Sequence, residues 1–350
     1  MWISGPPSGR AAQERKIVMT KKERIKAAIL GQKPDKLPYS FWTHMPGTDL
    51  DPEAIAQATY EFYKKYDLDF IKTMNNGMYA IEDFGCTIDY SEIVKGGVAK
   101  VVSTPIAEAK DWLNLSPCPI DCGSNARELR HLQLVLDKLK GEEVPVIFTV
   151  FSPITVANKL CGGKVFSYIE EGYGAEVKAA LEVITQTVEA MAAATIHTGA
   201  DGIFLASQVS RYEVCSVEQY LEYGKPYDLR VLAAARDGWM NTIHCHGDNI
   251  MLEVLKDYPV QVFNWHAWET LPALDEAHAL TGKCLMGGLN RADITAGNRN
   301  AICHQIYESF KLMGGLHQIL TPGCVIRYPL DDEMLSFIGQ TRNEVEAVFD

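Results

Sequence analysis

Short, almost entirely apolar segments alternate along most of this chain with longer segments in which apolar residues recur at helical spacing. Apolar runs without polar alternation are typical of strands buried on both faces of a parallel sheet. The pattern predicts eight strands, most of them followed by a helix. They are 39–44, 69–74, 144–150, 200–206, 242–246, 260–266, 284–290 and 318–321.

Several helix starts carry recognisable capping signals. Residues 20–23 and 216–219 each have the Ser/Thr-x-x-Glu/Gln spacing of a capping box. Asp51 precedes a proline at the first helical position, which is a common way to begin a helix. Asp248 and Asn249 are predicted to lie at the N-terminus of a short helix after the fifth strand.

Eight strand–helix units in one chain predict a (β/α)8 TIM barrel, an α/β fold, as a single domain over 19–350. Residues 78–123 break the alternation with short β-like segments, and we interpret them as an excursion after strand two. A doubly wound open sheet is the alternative, but it requires a phosphate-binding glycine-rich turn or a clear switch point. Residues 1–18, rich in Gly, Pro and Ser, are predicted to be a disordered extension.

Charge and composition exclude some classes of partner. The formal net charge is −12 and no Lys/Arg-rich run occurs, which argues against nucleic acid or an anionic membrane surface as a ligand. No apolar run reaches the length of a transmembrane helix. The nine cysteines are scattered and odd in number, so we expect reduced thiols and a cytoplasmic location.

The candidate chemistry lies where the predicted strands end, because the active site of a TIM barrel lies at the carboxyl ends of its strands. The polar residues predicted at these ends include Ser152, Ser207, Asn290 and the residues named below. On position alone, the candidate substrate contacts are His44, Asn75, Gln208, Asn264 and His266.

A pair of histidines closes the fifth predicted strand. Side chains alternate along a strand, so His244 and His246 point to one face and Cys245 to the other. Cys324, after the last strand, is the candidate third ligand. Zinc binds imidazole nitrogen and thiolate, and a catalytic zinc keeps three protein ligands and one open position. The pattern therefore predicts a zinc site formed by these three residues.

Gly247 and Gly323 adjoin the proposed ligands and leave room for close approach of the backbone. The alternative is a pair of histidines hydrogen-bonded to carbonyls or substrate, with a buried free thiol. A three-ligand zinc would activate either water, for hydrolysis, or a thiol. Hydrolysis also requires a positioned acid or base, and the spacing singles out no catalytic residue. Candidates are Asp248, Glu269 and His266.

Over about residues 20–348 the chain resembles the uroporphyrinogen decarboxylase superfamily, and within it the zinc-dependent cobalamin methyltransferase branch. Four segments carry the resemblance: 199–202, 244–248, 286–290 and Thr321-Pro322-Gly323-Cys324. The resemblance implies a TIM barrel and methyl transfer between a small substrate (a thiol, a folate or a methylated compound) and a corrinoid such as methylcobalamin. The corrinoid would be held by a partner protein or used as a substrate.

The branch typified by methylcobalamin:coenzyme M methyltransferases uses a His-x-Cys pair and a distant Cys as zinc ligands. The resemblance places the first His at His244 and the distant Cys at Cys324. The middle Cys is replaced by His246. A zinc site with one thiolate fewer carries less negative charge, so a bound thiolate should be less nucleophilic, or the site should favour a different group.

Two other functions remain open at this point. A decarboxylase or lyase of the same superfamily would work without metal. True uroporphyrinogen decarboxylases, however, carry an arginine-rich motif after the first strand, and residues 41–47 contain no arginine. A corrinoid- or tetrapyrrole-binding module without catalysis is the third possibility. It would still bind its ligand after removal of all three proposed metal ligands.

Overall fold

The strands of the barrel follow one another around a ring. The structure is a computed structural model that describes residues 18–93 and 99–349, so the extension predicted over 1–18 lies outside the described residues apart from Val18. The strands of the described part are β1 Ile71–Lys72, β2 Thr87–Asp89, β3 Lys100–Ser103, β4 Val146–Phe151, β5 Gly202–Ser207, β6 Thr242–Cys245, β7 Val262–Trp265, β8 Cys284–Leu289 and β9 Gln318–Pro322. Strands β1 and β4 to β9 form one parallel sheet in that order.

Residues 39–43 close this sheet into a ring. On one side the Ser40 amide donates to the Leu320 carbonyl of β9 at 3.1 Å. On the other side the Tyr39 carbonyl accepts a hydrogen bond from the Asp69 amide at 2.9 Å, just before β1. Eight parallel chain segments therefore surround one interior, and the predicted TIM barrel is confirmed.

The first two segments are less regular than the predicted strands over 39–44 and 69–74. The first forms only isolated bridges, and β1 is two residues long. Side chains provide part of the pairing here. The Asp69 carboxylate accepts from the Tyr39 amide at 2.9 Å, and the Ser40 hydroxyl donates to the Phe70 carbonyl at 2.8 Å. These contacts take the place of a continuous main-chain ladder.

Helices surround the ring, and none in the described ranges is long and apolar enough to cross a membrane. The described helices are α1 Lys21–Ile29, α2 Pro52–Tyr66, α3 Tyr79–Glu82, α4 Gly123–Lys138, α5 Pro153–Leu160, α6 Val165–Tyr168, α7 Gly174–Thr198, α8 Val217–Tyr223, α9 Lys225–Ala234, α10 Leu252–Leu255, α11 Leu274–Thr281, α12 Arg291–Thr295, α13 Arg299–Met313 and α14 Asp332–Phe349. The predicted capping boxes begin α1 and α8, and Asp51 caps α2.

The excursion after the second predicted strand is also present. Strands β2 and β3 pair antiparallel in a small sheet of their own, outside the ring. A 3₁₀ turn over Ala109–Asn114 follows them, and its Trp112 is buried against the main apolar core. The excursion thus packs on the barrel, with 94–98 outside the described residues.

One predicted helix start is wrong. Asp248 and Asn249 do not begin a helix, because α10 starts only at Leu252. Asn249 has a φ of 48°, in the left-handed region that a right-handed helix cannot include. The next residue, Ile250, forms an isolated antiparallel bridge with Arg211. The chain after the histidine pair is therefore an ordered loop.

Apolar side chains fill the ring near the amino ends of its strands. Met240 precedes β6, while Val262 and Cys284 are the first residues of β7 and β8, and all three belong to one buried interior cluster with Phe204 and Trp42. A second, larger cluster fills the space between the strands and the helices. Because the amino end of the interior is packed with apolar groups, polar inward-facing groups collect at the carboxyl end.

Candidate metal centre

Strand β6 presents its two histidines to the interior of the barrel. The ring centroids of His244 and His246 are 5.6 Å apart. Cys245, between them, is completely buried in the layer between the sheet and the helices, where burial raises the pKa of its thiol. The alternation predicted from the sequence therefore holds, and Cys245 is separated from the cluster by the sheet itself.

Four side chains converge at the carboxyl end of the barrel: His244, His246, His266 and Cys324. One nitrogen or sulfur atom of each lies within 4.8 Å of those of the others. The closest pair of donors recorded is Cys324 Sγ and His246 Nδ1, 3.6 Å apart. Two such donors bound tetrahedrally to one zinc would be about 3.6 Å apart, from Zn–S and Zn–N bond lengths of about 2.3 and 2.1 Å. The donor set thus fits zinc in its chemistry, and this pair also has the spacing of two zinc ligands.

Gly323 allows Cys324 to reach the cluster. A Cβ at position 323 would lie 2.5 Å from the His266 Cα and 2.7 Å from the Trp265 carbonyl oxygen. Neither backbone atom can move aside cheaply, so only glycine permits this approach of the chain after β9 to the end of β7. Gly247 has a φ of 92°, and a Cβ there would meet the Arg211 side chain at 2.5 Å. Both glycines noted in the sequence are therefore required sterically.

Asn264 orients the first histidine of the cluster. Its Oδ1 lies 2.6 Å from His244 Nδ1, and its Nδ2 donates to the carbonyls of Met286 and Pro322 at 3.0 and 3.4 Å. The residue is completely buried. Asn264, predicted as a substrate contact, is bonded to protein on both atoms of its amide. It fixes the ring so that His244 Nε2 is left for the cluster.

His266 is held from behind by a carboxylate. Its Nδ1 lies 3.0 Å from Glu269 Oε2, and Glu269 in turn lies 3.5 Å from the Arg291 guanidinium. Its other nitrogen, Nε2, is buried without a hydrogen-bond partner among the described residues. Metal-binding histidines characteristically have one nitrogen bonded to a carboxylate or carbonyl and the other free for the metal. The sequence placed His266 at a strand end but gave no sign that it joins the histidine pair.

The charges of the cluster are strongly coupled. Burial raises the pKa of Cys324, but contacts with the three histidines outweigh burial and hold it well below the usual range. Burial lowers the pKa of His244. Burial also tends to lower the pKa of His266, yet Cys324 and Glu269 raise it to about 9. The sulfur is thus favoured as a thiolate, the form that binds metal.

The remaining predicted substrate contacts are distributed around the mouth of the barrel. His44 lies 3.6 Å from the Asp49 carboxylate, and its side chain is 45% exposed. It lines a cavity of about 540 Å³ that also includes Arg291 and Arg327. Asn75 is buried, and its Oδ1 accepts from the Thr73 hydroxyl at 3.0 Å. The Asn75 Nδ2 has no described partner.

Gln208 sits apart from the cavity residues just described. Its backbone amide donates to the Thr155 hydroxyl at 3.0 Å, directly after β5, and its side chain is partly exposed. Among the described residues, only His266 of the five predicted substrate contacts belongs to the four-donor cluster. Of the five predicted residues, His266 therefore belongs to the cluster and Asn264 orients it. The other three, His44, Asn75 and Gln208, lie around it.

Lys72, the last residue of β1, was not expected from the sequence because it stands in an apolar strand. It is 8% exposed and lies inside the barrel. Burial lowers the pKa of its amine to about 7, while the negative charge of Cys324 opposes that shift.

The fold and the cluster together define an α/β barrel with a candidate nitrogen-and-sulfur metal centre at its strand ends. The chain belongs to the uroporphyrinogen decarboxylase (URO-D) family, whose sequence model matches residues 20–344. This match covers almost the whole of the described structure, including all four residues of the cluster.

Among relatives, the methylcobamide:CoM methyltransferase MtbA of Methanosarcina mazei is 23% identical over 234 residues, 62% of this chain and 67% of that protein. MtaA of Methanosarcina barkeri, also a methylcobamide:CoM methyltransferase, is 23% identical over 217 residues, 58% of this chain and 63% of that protein. These relatives confirm the predicted methyltransferase branch of the family, and with it the prediction of a methyltransferase.

Two solved structures share the fold. A methyltransferase from Methanosarcina mazei superposes with a TM-score of 0.81 at 20% identity, covering 93% of this chain and 99% of that one. A B12-independent methionine synthase from Shewanella sp. W3-18-1 gives a TM-score of 0.56 at 12% identity, covering 91% of this chain and 94% of that one. At these identities the structural similarity concerns the fold alone.

Proposed function

We propose that this protein is a zinc-dependent methyltransferase that moves a methyl group between a small substrate and a corrinoid held by a partner protein. The observation that carries the proposal is the convergence of three imidazoles and one thiol, within 4.8 Å, at the active-site end of the barrel. Membership in the URO-D family and similarity to proteins named methylcobamide:CoM methyltransferases support the same activity.

We assign His244, His246 and Cys324 as the zinc ligands. When bound, zinc would act as a Lewis acid that lowers the pKa of an entering thiol or similar group. Asn264 holds His244 in one orientation through the 2.6 Å contact to Nδ1. Cys324 supplies the single thiolate, since Cys245 faces the helices. The protein's own task is therefore to fix three donors and leave space for a fourth.

We assign His266 to that fourth position. Its unpartnered Nε2 belongs to the cluster, and Glu269 stabilises the ring from the opposite nitrogen. We propose that His266 completes the donor set in the resting protein and gives way to the substrate. Glu269 would support the ring through its 3.0 Å contact, and Arg291, 3.5 Å from Glu269, lines the cavity at the mouth of the barrel.

Metal analysis and a methyl-transfer assay test the proposal together. The purified protein should contain about one zinc per chain, and it should change the absorbance of methylcobalamin when a suitable thiol is added. His246→Ala should lose both zinc and transfer. His246→Cys should keep zinc and raise transfer to thiols, since it restores the donor set of the methyltransferase branch.

The control is His304→Ala, which removes an exposed imidazole on α13 and should change neither measurement. A zinc-free preparation with full transfer activity would overturn the proposal. So would His246→Ala protein that retains both zinc and activity. Decarboxylase or lyase turnover that chelators leave unchanged would instead support the metal-free alternative within the same family.

A further inference from the structure

Lys72 lies inside the barrel without a carboxylate partner among the described residues. Its Nζ is 3.2 Å from the Met74 sulfur, its one recorded hydrogen-bond contact. The same nitrogen lies 5.0 Å from the centroid of the Phe204 ring and 5.6 Å from that of Trp42. Thioether and aromatic faces attract a cation weakly, so they compensate only part of the cost of removing an ammonium group from water.

Lys159 shows how another lysine of this protein, which is partly buried, is accommodated. Its Nζ donates to the Gly77 carbonyl at 3.0 Å and also lies 4.0 Å from the Phe151 ring centroid. A main-chain oxygen thus accepts from Lys159, whereas Lys72 has a sulfur in the corresponding role. The environment of Lys72 lacks the oxygen ligands that a structural lysine normally has.

The position of Lys72 connects it to the cluster. Phe204, which Lys72 contacts, stacks on the His244 ring with centroids 5.0 Å apart and planes inclined by 24°. His244 and Cys324 both belong to the cluster, whose four donor atoms lie within 4.8 Å of one another. The ammonium group therefore forms the floor of the site, one aromatic ring below the histidine.

We propose that Lys72 is a specificity-determining residue that makes the space beside Cys324 prefer anionic ligands over neutral ones. The class of group selected is a thiolate or a carboxylate entering at the cluster. The catalytic role of this preference rests on the proposed methyltransferase function, in which the entering group would be the substrate. The charge preference itself is a property of the polypeptide and can be measured without metal.

A pair of thiol reagents isolates this preference. Iodoacetate and iodoacetamide alkylate the same thiolate, but only iodoacetate carries a negative charge. The ratio of their rates at Cys324 therefore cancels any change in the reactivity of the sulfur itself. A nearby unit charge at a partly buried site changes the local concentration of a charged reagent by about tenfold at low ionic strength.

The experiment uses chelator-treated, full-length protein at pH 6 and low salt, with alkylation of each cysteine followed by peptide mass spectrometry. In the wild type, the iodoacetate-to-iodoacetamide ratio should be higher at Cys324 than at the exposed Cys122. Lys72→Met should lower the ratio at Cys324 about tenfold. Lys72→Arg should largely preserve it, and Lys159→Met should leave it unchanged.

Equal ratios at Cys324 in the wild type and in Lys72→Met would overturn the inference. If Lys72→Met does not fold, Lys72→Gln replaces it. The wild-type protein also provides a test without any variant. A ratio at Cys324 that is no higher than the ratio at Cys122 would exclude the preference. If Lys72→Met has a reduced ratio but the wild-type protein contains no zinc before chelator treatment, the proposed function is refuted and the role of Lys72 stands. Zinc-dependent transfer with an unchanged ratio would refute only the role of Lys72.

Discussion

The two faces of β6 carry two different kinds of buried polar cluster. On the inner face, His244 and His246 meet His266 and Cys324, and the His266 Nε2 has no described partner. On the outer face, beyond Cys245, a network joins Ser207, Tyr220, Asp228 and Tyr258. The tyrosine hydroxyls donate to Asp228 Oδ2 at 2.7 and 2.9 Å, and Tyr220 also contacts the Ser207 hydroxyl.

The difference lies in where the donors and acceptors point. In the outer network the two tyrosine hydroxyls bond to Asp228 Oδ2 between the sheet and the helices, which is the arrangement of a structural network. Asp228 Oδ1 has no partner among the described residues. The inner cluster directs several metal-binding atoms at one shared point. Cysteine shows the contrast most directly, because the pKa of Cys324 is held well below its usual range while that of Cys245 is raised. Position on the strand, more than residue type, determines the chemistry.

Replacing one cysteine on each face of β6 should give the largest difference between the two faces. Cys324→Ser removes the thiolate from the inner cluster, and we expect zinc affinity to fall about a thousandfold or more. Cys245→Ser changes a buried thiol outside the cluster and should leave zinc affinity unchanged. Competition with a chromophoric chelator measures both. Equal zinc loss in the two variants would mean that Cys324 is not a ligand.

The outer network should make the free energy of unfolding depend on pH. Burial raises the pKa of Asp228 from 3.8 to about 7, although hydrogen bonds from Tyr220 and Tyr258 oppose the shift. The folded state therefore favours the protonated acid. Its contribution to the free energy of unfolding is complete below about pH 4 and is lost as the pH rises through 7. The loss should reach up to about 4 kcal/mol.

Urea unfolding of the wild type and of Asp228→Asn between pH 4.5 and 8 tests this prediction. Asparagine stays neutral, so the variant should lack this part of the pH dependence and should gain stability relative to the wild type as the pH rises. Parallel stability curves for the two proteins would show that Asp228 does not titrate in this range. Zinc content should not differ between them, because the network lies on the opposite face of β6.

Gly323→Ala tests the approach of the last strand to β7. The added Cβ would lie 2.5 Å from the His266 Cα, so the chain carrying Cys324 must move away. We expect a loss of stability of about 2–3 kcal/mol and a clear fall in zinc affinity. Gly77→Ala is the matched control, since a Cβ there meets nothing within 4 Å. Unchanged zinc binding in Gly323→Ala would show that this contact does not position the thiolate.

The smallest effect concerns the support of His266. Glu269→Gln keeps a side chain of the same shape 3.0 Å from His266 Nδ1 but removes its charge. Loss of such a supporting carboxylate should weaken zinc binding about tenfold. Glu308→Gln, on the exposed side of α13, serves as the control. A result indistinguishable from this control would limit His266 to a role outside the donor set.

The sequence predicted those features that depend on local order. Alternation along one strand separated His244 and His246 from Cys245, and the capping boxes marked the starts of α1 and α8. It did not reveal that His266 joins the cluster or that Asn264 turns away to hold His244, because both facts depend on how neighbouring strands are staggered around the ring. The role of Lys72 was not predicted for the same reason, because the sequence around a lysine in an apolar strand does not show which side chains surround it.

A metal ion at this centre would also stabilise the side of the barrel where the ring closes. Residues 39–43 join the ring to β9 through isolated bridges, so this joint should open more readily than the regular ladder between β8 and β9. An ion held by donors on or after β6, β7 and β9 would hold the end of β9, which is one side of this joint, against β6 and β7. Amide exchange of β9 should then slow on zinc binding, while exchange of the paired strands β2 and β3 stays unchanged. The metal centre would thus also stabilise the last strand within the closed ring.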